Sequence, residues 1–418
     1  MPEHRSPRIL ITGFGLVTPL GHSAWETFAA LLAGRTLADR AAAVPDDIGV
    51  VDLVKAIGTV GIAQHTATDP TVELAERAAR EALAMAGVSP VGLPCIIGTS
   101  KGAVQALIAG ANRLSRDTNR IAAGIAANPT ASPTSEAGIP RREPPDAPLA
   151  VALGPHGYLT HHLRQRLSLG LTQHLVTACA SGLTALHRAR LALLHGPLAA
   201  SHDRILVVTA DAALSPMFIH GYRRLGVLAP VKPDAYRGRP LDEARDGFMI
   251  AEAGAAVVVE RVDDPDRPTP RHAVELLDTD EACDAHDLIR PCADMPALKW
   301  IASRLLRDRQ VDLIHPHAPG TVEQDAAEMR VYRDLLASPR QAPDFYAHKG
   351  ALGHTLGASG LVSTVIACLC AASRRRPPMP WLERSLDETV RRSSDVAPRT
   401  QAVFAAGFGG HAAGAALA

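Results

Sequence analysis

The chain has no excess of either charge, few lysines, few aromatic residues and no Cys-x-x-Cys motif, and the charge balance and the cysteine spacing each remove a class of function. Acidic and basic side chains balance at 43 each. A net charge of zero argues against general nucleic-acid binding and against a polybasic membrane anchor. The six cysteines (Cys95, Cys179, Cys283, Cys292, Cys368, Cys370) are scattered, with no Cys-x-x-Cys pair. That is neither a disulfide framework nor a zinc ribbon, and it fits a soluble protein of a reducing compartment, the cytoplasm. Residues 1–8 are polar and hold no signal-peptide core. The longest near-apolar run, Leu356 to Ala372, carries glycine and serine and is a little short for a bilayer span. A buried core helix is expected there rather than a membrane span.

What the chain does have is apolar patterning. It is 47% hydrophobic over 418 residues, enough for two core units. A strand rich in β-branched residues opens at Arg8. Apolar residues at helical spacing follow over 71–86, stopped by Gly87. Short buried strands are expected at Cys95 to Thr99, at Ile205 to Ala210 and before Glu260. After the Pro- and Asp-rich residues 263–270 the grammar repeats. A strand is expected near 273–277, a helix near 295–306, a strand at 311–314, a helix over 324–336, a helix after Gly357 and a last strand at 401–405. Strands alternating with helices predict an α/β fold with buried, mostly parallel sheets. Similar order in the two halves predicts an internal duplication, with an N-terminal half 1–265 and a C-terminal half 266–418. Residues 128–148, dense in Pro, Ser, Thr and charge, read as an exposed insertion within the first half.

Four segments carry side chains suited to chemistry. In Val176-Thr177-Ala178-Cys179-Ala180-Ser181-Gly182 a strand gives way to a helix, which puts Cys179 at a helix N-terminus, where backbone N–H groups favour a thiolate. A buried structural cysteine is the alternative. In Ile314-His315-Pro316-His317-Ala318-Pro319-Gly320-Thr321 a strand presents histidine at its C-terminal edge, where open α/β sheets place ligands. Pro316 and the lack of a further ligand at a usual spacing argue against a metal there. In His348-Lys349-Gly350-Ala351-Leu352-Gly353-His354, a lysine and a histidine lead into an apolar helix, and both would be costly to bury without partners. Gly407-Phe408-Gly409-Gly410 is a turn that exposes N–H groups and suits an anion pocket, or is an ordinary tight turn.

The order of these segments, together with Ile11 to Gly21, Arg239-Pro240-Leu241-Asp242 to Glu252, and Asp325 and Glu328 after His317, resembles the β-ketoacyl-[acyl carrier protein] synthases (ketosynthases) of the thiolase superfamily over nearly the whole chain. The resemblance implies a thiolase-like fold, with two duplicated βαβαβαββ-type halves forming a five-layered α-β-α-β-α core. It implies that Cys179 takes an acyl group from a carrier-protein thioester and that His317 and His354 bind a malonyl thioester and assist its decarboxylation. Lys349 would orient His354 together with Glu328. Cys179 and Phe408 would supply oxyanion N–H groups, with Gly407 and Gly409 shaping that turn, and Thr321 would contact the substrate arm. No metal or organic cofactor is implied, since substrates arrive on the phosphopantetheine of acyl carrier protein. That partner is acidic, so Arg223, Arg224 and the run Arg374-Arg375-Arg376 are candidate docking residues. A homodimer is implied, with a heterodimer with a paralogous subunit as its alternative. Fatty-acid, polyene and polyketide-type biosynthesis are all compatible.

The chain departs from the family pattern at Ala318-Pro319, which replaces a glycine-threonine pair whose threonine contacts the phosphopantetheine arm. It departs again at His411-Ala412, where threonine-asparagine is usual, and loosely at Asp284-Ala285-His286-Asp287. Two other functions remain open at this stage. One is a chain-length-factor-type partner subunit, against which the retained Cys179 counts. The other is a cysteine-dependent acyltransferase without condensing activity.

Overall fold

A computed structural model describes residues 7–37, 69–127, 147–230, 238–264, 266–336 and 342–418. All but the last two residues of the 128–148 insertion lie outside the described residues.

The first half runs β1 (Arg8–Val17), α1 (Ala24–Leu32), α2 (Pro70–Ala86), β2 (Cys95–Gly98), α3 (Val104–Ala127), α4 (Ala147–Leu167), β3 (Thr172–Leu175), α5 (Ser181–Leu194), β4 (Arg204–Asp211), α6 (Pro216–Arg224) and β5 (Ala253–Val262). The second runs β6 (Val274–Cys283), α7 (Pro296–Leu306), β7 (Leu313–His315), α8 (Val322–Leu335), β8 (Asp344–Phe345), α9 (Lys349–Leu352), α10 (Ser359–Ser373), β9 (Gln401–Gly407) and β10 (His411–Leu417). The strands form one sheet in the order β3-β2-β4-β5-β1-β6-β10-β9-β7-β8. Read outward from the β1–β6 seam, the second five strands repeat the order of the first five, and each pairing keeps its parallel or antiparallel sense. The two halves join where Leu10 and Ile11 of β1 meet Glu275 and Val274 of β6.

Two sequence expectations are corrected. The sheet is mixed rather than mostly parallel: β5 and β10 run antiparallel to both of their neighbours. The strand beginning at Gln401 is not the last, because the turn after Gly407 folds β10 back between β9 and β6. The stretch His-Ala-Ala-Gly-Ala-Ala-Leu has little intrinsic strand preference, and its conformation comes from cross-strand pairing and burial.

Helices α5 and α10 lie in the middle of the molecule. α5 packs on β2 and β4 of one half and on β6 and β10 of the other, while α10 packs on β1, β5 and β9. α2 covers the outer face of the first half-sheet and α7 that of the second. The layers are thus helix, sheet, helix, sheet, helix. α10 is buried from Ser359 to Cys370, which is why its apolar run belongs to the core. It meets the start of α5 closely: a Cβ at Gly360 would lie 2.8 Å from Leu183 Cγ, and one at Gly182 would lie 3.0 Å from the Leu361 amide nitrogen. These two glycines, one in each helix, therefore bring the start of α10, just after His354, against the helix that begins at the cysteine turn.

Candidate active site

Cys179 lies in a one-turn 3₁₀ segment, Ala178–Ala180, between β3 and α5. The Ser181 hydroxyl closes this turn, accepting from the Thr177 N–H at 2.9 Å and donating to the Ala178 carbonyl at 2.7 Å. Ala178 is held at φ 49°. That left-handed conformation is costly for alanine, and it directly precedes the nucleophile candidate Cys179. The thiol is half-buried and lines a cavity of about 340 Å³ shared with His317, His354, Thr321, Gly407 and Phe408. Burial pushes the thiol up to about 11, against the pull of Lys349 and Lys101. Desolvation thus opposes the thiolate that a helix N-terminus and the two lysines favour.

His317 follows β7, and its backbone is held more firmly than its ring. Glu328, fully buried on α8, accepts from the His317 N–H at 2.7 Å, the Ala318 N–H at 2.7 Å and the Tyr332 hydroxyl at 2.7 Å. The Lys349 ammonium donates to the His317 carbonyl. Asp325 accepts from the N–H groups of Gly320 and Leu241, each at 2.9 Å, which ties the same loop to the 239–242 segment. Glu328 and Lys349 therefore act on His317 through its backbone, and neither lines the cavity. The Lys349 side chain thus bonds the His317 loop, while its charge bears on both His317 and His354.

His354 is clamped by the 248–251 segment. Its N–H donates to the Met249 carbonyl at 2.6 Å, and its carbonyl accepts from Ala251 at 3.0 Å. The ring packs edge-on against Phe248, centroids 4.8 Å apart, and Nδ1 lies 3.4 Å from the Ser359 hydroxyl. A hydroxyl donating to Nδ1 leaves the ring proton on Nε2. The His317 and His354 rings meet edge to face with centroids 5.4 Å apart. Both are pushed well below the usual histidine range, by burial first and the nearby Lys349 charge second. They are neutral near pH 7, the form in which each ring keeps one N–H donor.

Gly407 ends β9 against the cysteine turn: a Cβ there would lie 2.9 Å from the Cys179 amide nitrogen. Phe408 packs on the apolar cluster that contains Phe248, Tyr222 and Leu356. Gly409 does not line the cavity; its N–H donates to the Leu288 carbonyl at 2.9 Å. Thr321 precedes the first turn of α8 at the cavity wall. Sequence reasoning missed Ser359, Phe248 and Tyr222, none of which stands out by type. It also missed Asp211, which accepts from the N–H groups of Ser100 and Lys101 at 2.9 Å each and so fixes the loop that brings the Lys101 charge toward Cys179.

A nucleophilic thiol, two neutral imidazoles and a glycine turn against the thiol's own amide form one pocket. The family model described as "Beta-ketoacyl synthase, N-terminal domain" matches residues 161–264, which contain Cys179. The model described as "Beta-ketoacyl synthase, C-terminal domain" matches 297–383, which contain His317, Lys349 and His354. Over these two stretches the chain matches the β-ketoacyl synthase family. Among its relatives, the 3-oxoacyl-[acyl-carrier-protein] synthase 2 of Coxiella burnetii is 26% identical over 90% of this chain and 88% of its own length. The putative polyketide beta-ketoacyl synthase 1 of Streptomyces halstedii is 25% identical over 97% and 96%. The solved "ishigamide ketosynthase/chain length factor" superposes with a TM-score of 0.78 at 20% identity, covering 99% of both chains. A β-ketoacyl synthase from Burkholderia phymatum gives 0.72 at 21%, covering 98% of this chain and 99% of that one. At such identities the structural likeness speaks for the fold alone.

One docking candidate is corrected. Arg376 is buried and bonded to Asp344 at 2.7 Å, so it is a core ion pair. Arg223 and Arg224 are exposed at the end of α6, next to Tyr222 and Leu225 of the cavity wall.

Proposed function

We propose that the protein is a condensing β-ketoacyl-[acyl carrier protein] synthase that joins an acyl group held on Cys179 to a malonyl unit. The observation that carries this reading is the convergence of Cys179, His317 and His354 on one cavity. In the first step the Cys179 sulfur attacks the acyl thioester, and the carrier thiol leaves with the proton. The malonyl thioester then binds with its carbonyl oxygen toward the two imidazole N–H groups. Loss of CO2 leaves an enolate whose oxygen takes those two hydrogen bonds. Because burial pushes both rings toward the neutral form, each offers one N–H donor without bringing a charge into the pocket. One well-aimed donor of this kind contributes about 3–4 kcal/mol to the transition state. The enolate carbon attacks the Cys179 thioester, the new C–C bond forms, and the sulfur departs. The N–H groups of Cys179 and Phe408 would hold the intermediate oxyanion.

Acyl carrier protein is the proposed partner, with Arg223 and Arg224 as its docking charges. A dimer is proposed through β3. This strand ends the sheet, its side chains are half-exposed, and Leu171 and Val176 beside it are exposed by 56% and 51%. An edge of this kind invites strand addition. The ketosynthase/chain-length-factor neighbour makes a heterodimer the second arrangement to test. The test of the activity is incubation with acyl- and malonyl-carrier protein and mass detection of the β-ketoacyl product. Acyl transfer to Cys179 without CO2 release would instead point to a non-condensing acyltransferase.

A further inference from the structure

The cavity that reaches Cys179 is graded from a dry floor to a wet rim. His317 and His354 at its floor are 4% and 2% exposed. The 284–292 segment forms one side of the rim, with Ile289, Arg290, Pro291 and Cys292 facing the cavity. Arg290 is exposed, and it is the one lysine or arginine among the residues that line the cavity. The acids lining the same cavity are Asp246, Asp284 and Glu323. The turn carrying Arg290 is well fastened. Asp287 Oδ1 accepts the backbone N–H groups of Ile289 at 2.7 Å and Arg290 at 2.8 Å. Leu288 behind it is tied to the glycine turn through the Gly409 N–H. Among the described residues no ion pair or hydrogen bond engages the Arg290 guanidinium.

Ala318 and Pro319 stand where the family resemblance places the threonine that touches the substrate arm, and Pro319 lines the cavity. A phosphopantetheine thioester whose reactive end is at Cys179 carries one fixed charge, a phosphodiester at the far end of the arm. Among the residues that line the cavity, that charge has a single arginine or lysine counterpart.

We propose that Arg290 holds the phosphate of the substrate's phosphopantetheine arm and thereby replaces binding that the 318–319 segment does not supply. The inference rests on the proposed function and assigns its phosphate-binding residue. A guanidinium matches phosphate with paired N–H donors. A hydrogen bond to a charged group at a half-wet rim corresponds to about a tenfold change in affinity.

The test compares wild type, Arg290→Ala and Arg290→Lys with two free donors, an acyl-phosphopantetheine and the same acyl-pantetheine without phosphate. Free donors remove any contribution from the carrier-protein surface. Two readouts are taken: the rate of Cys179 acylation by intact mass, and the protection of Cys179 from iodoacetamide by phosphopantetheine or pantetheine. Wild type is expected to prefer the phosphorylated form about tenfold. Arg290→Ala should abolish the preference while leaving the pantetheine value unchanged, and Arg290→Lys should restore part of it. Equal loss with both donors, or a preference that survives in Arg290→Ala, overturns the proposal. So does a wild type that shows no preference between the two free donors in either readout. If no donor acylates Cys179 yet phosphate-dependent protection is present and lost in Arg290→Ala, the condensing function falls and the phosphate subsite stands.

Discussion

Replacing Glu328 by glutamine tests how the backbone of His317 is held. The carboxylate is buried and accepts the N–H groups of His317 and Ala318 and the hydroxyl of Tyr332, all at 2.7 Å. Glutamine is close to isosteric but offers one acceptor oxygen in place of two. If that oxygen keeps His317 and Tyr332, which share Oε1, the Ala318 N–H faces an amide NH2. A buried donor left without its partner costs about 1–3 kcal/mol. Ala318 is also held at φ 29°, outside the ordinary range for an alanine, and such conformations persist only under constraint. The 317–319 loop is therefore expected to relax and carry the His317 ring off its aim. Loss of one transition-state donor slows a step by about 10²–10³, so a displaced donor should slow malonyl decarboxylation by about a hundredfold. Cys179 makes no contact with Glu328 and should be acylated at close to the wild-type rate. The assay follows CO2 release and Cys179 acylation separately on the same preparation, with circular dichroism to establish folding. A folded variant that loses both steps equally, or neither, would refute the reasoning.

Three further outcomes are expected. Gly407→Ala places a Cβ 2.9 Å from the Cys179 amide nitrogen, and acylation should fall by at least about tenfold, since one misplaced oxyanion donor costs more than that; an unchanged acylation rate would remove this N–H from the mechanism. Burial holds the Cys179 thiol near 11, so iodoacetamide labelling should keep rising by about tenfold per pH unit from 7 to beyond 9, where an ordinary cysteine with a pKa of about 8.5 levels off; a plateau at pH 8.5 contradicts the stated balance of burial and lysine charge. His174, bonded to Thr99 and Thr160, is lowered to about 4 by burial. The unfolded chain therefore binds the extra proton first, and stability contributed by the neutral ring is full above about pH 6.5 and lost as pH falls toward 4. Denaturant titrations across that range should show a shallower acid loss in His174→Gln than in wild type, and parallel curves would count against it.

Much of the fold was legible because the decisive signals were local. Apolar runs such as Ile205 to Ala210, and the 71–86 periodicity closed by Gly87, announce their elements directly. β10 was not legible, because alanine and glycine say little until β6 and β9 flank them. The site residues were legible by type and order: Cys179 and His317 stand between a strand and a helix, and His354 stands in the glycine-rich lead into α10. Their supports were less so. That Lys349 bonds the carbonyl of His317 depends on how the α9 turn meets the loop after β7, and no spacing in the chain reports it. The resting state of Cys179 likewise depends on burial, which opposes what a helix N-terminus alone suggests.

The central claim is that Cys179 receives the acyl group, and intact-protein mass after incubation with a panel of acyl-carrier-protein thioesters tests it directly. The account predicts an adduct of acyl mass on the wild type that is absent from Cys179→Ala. An adduct that persists in the variant, or a folded wild type that takes no acyl group from any donor, would contradict it.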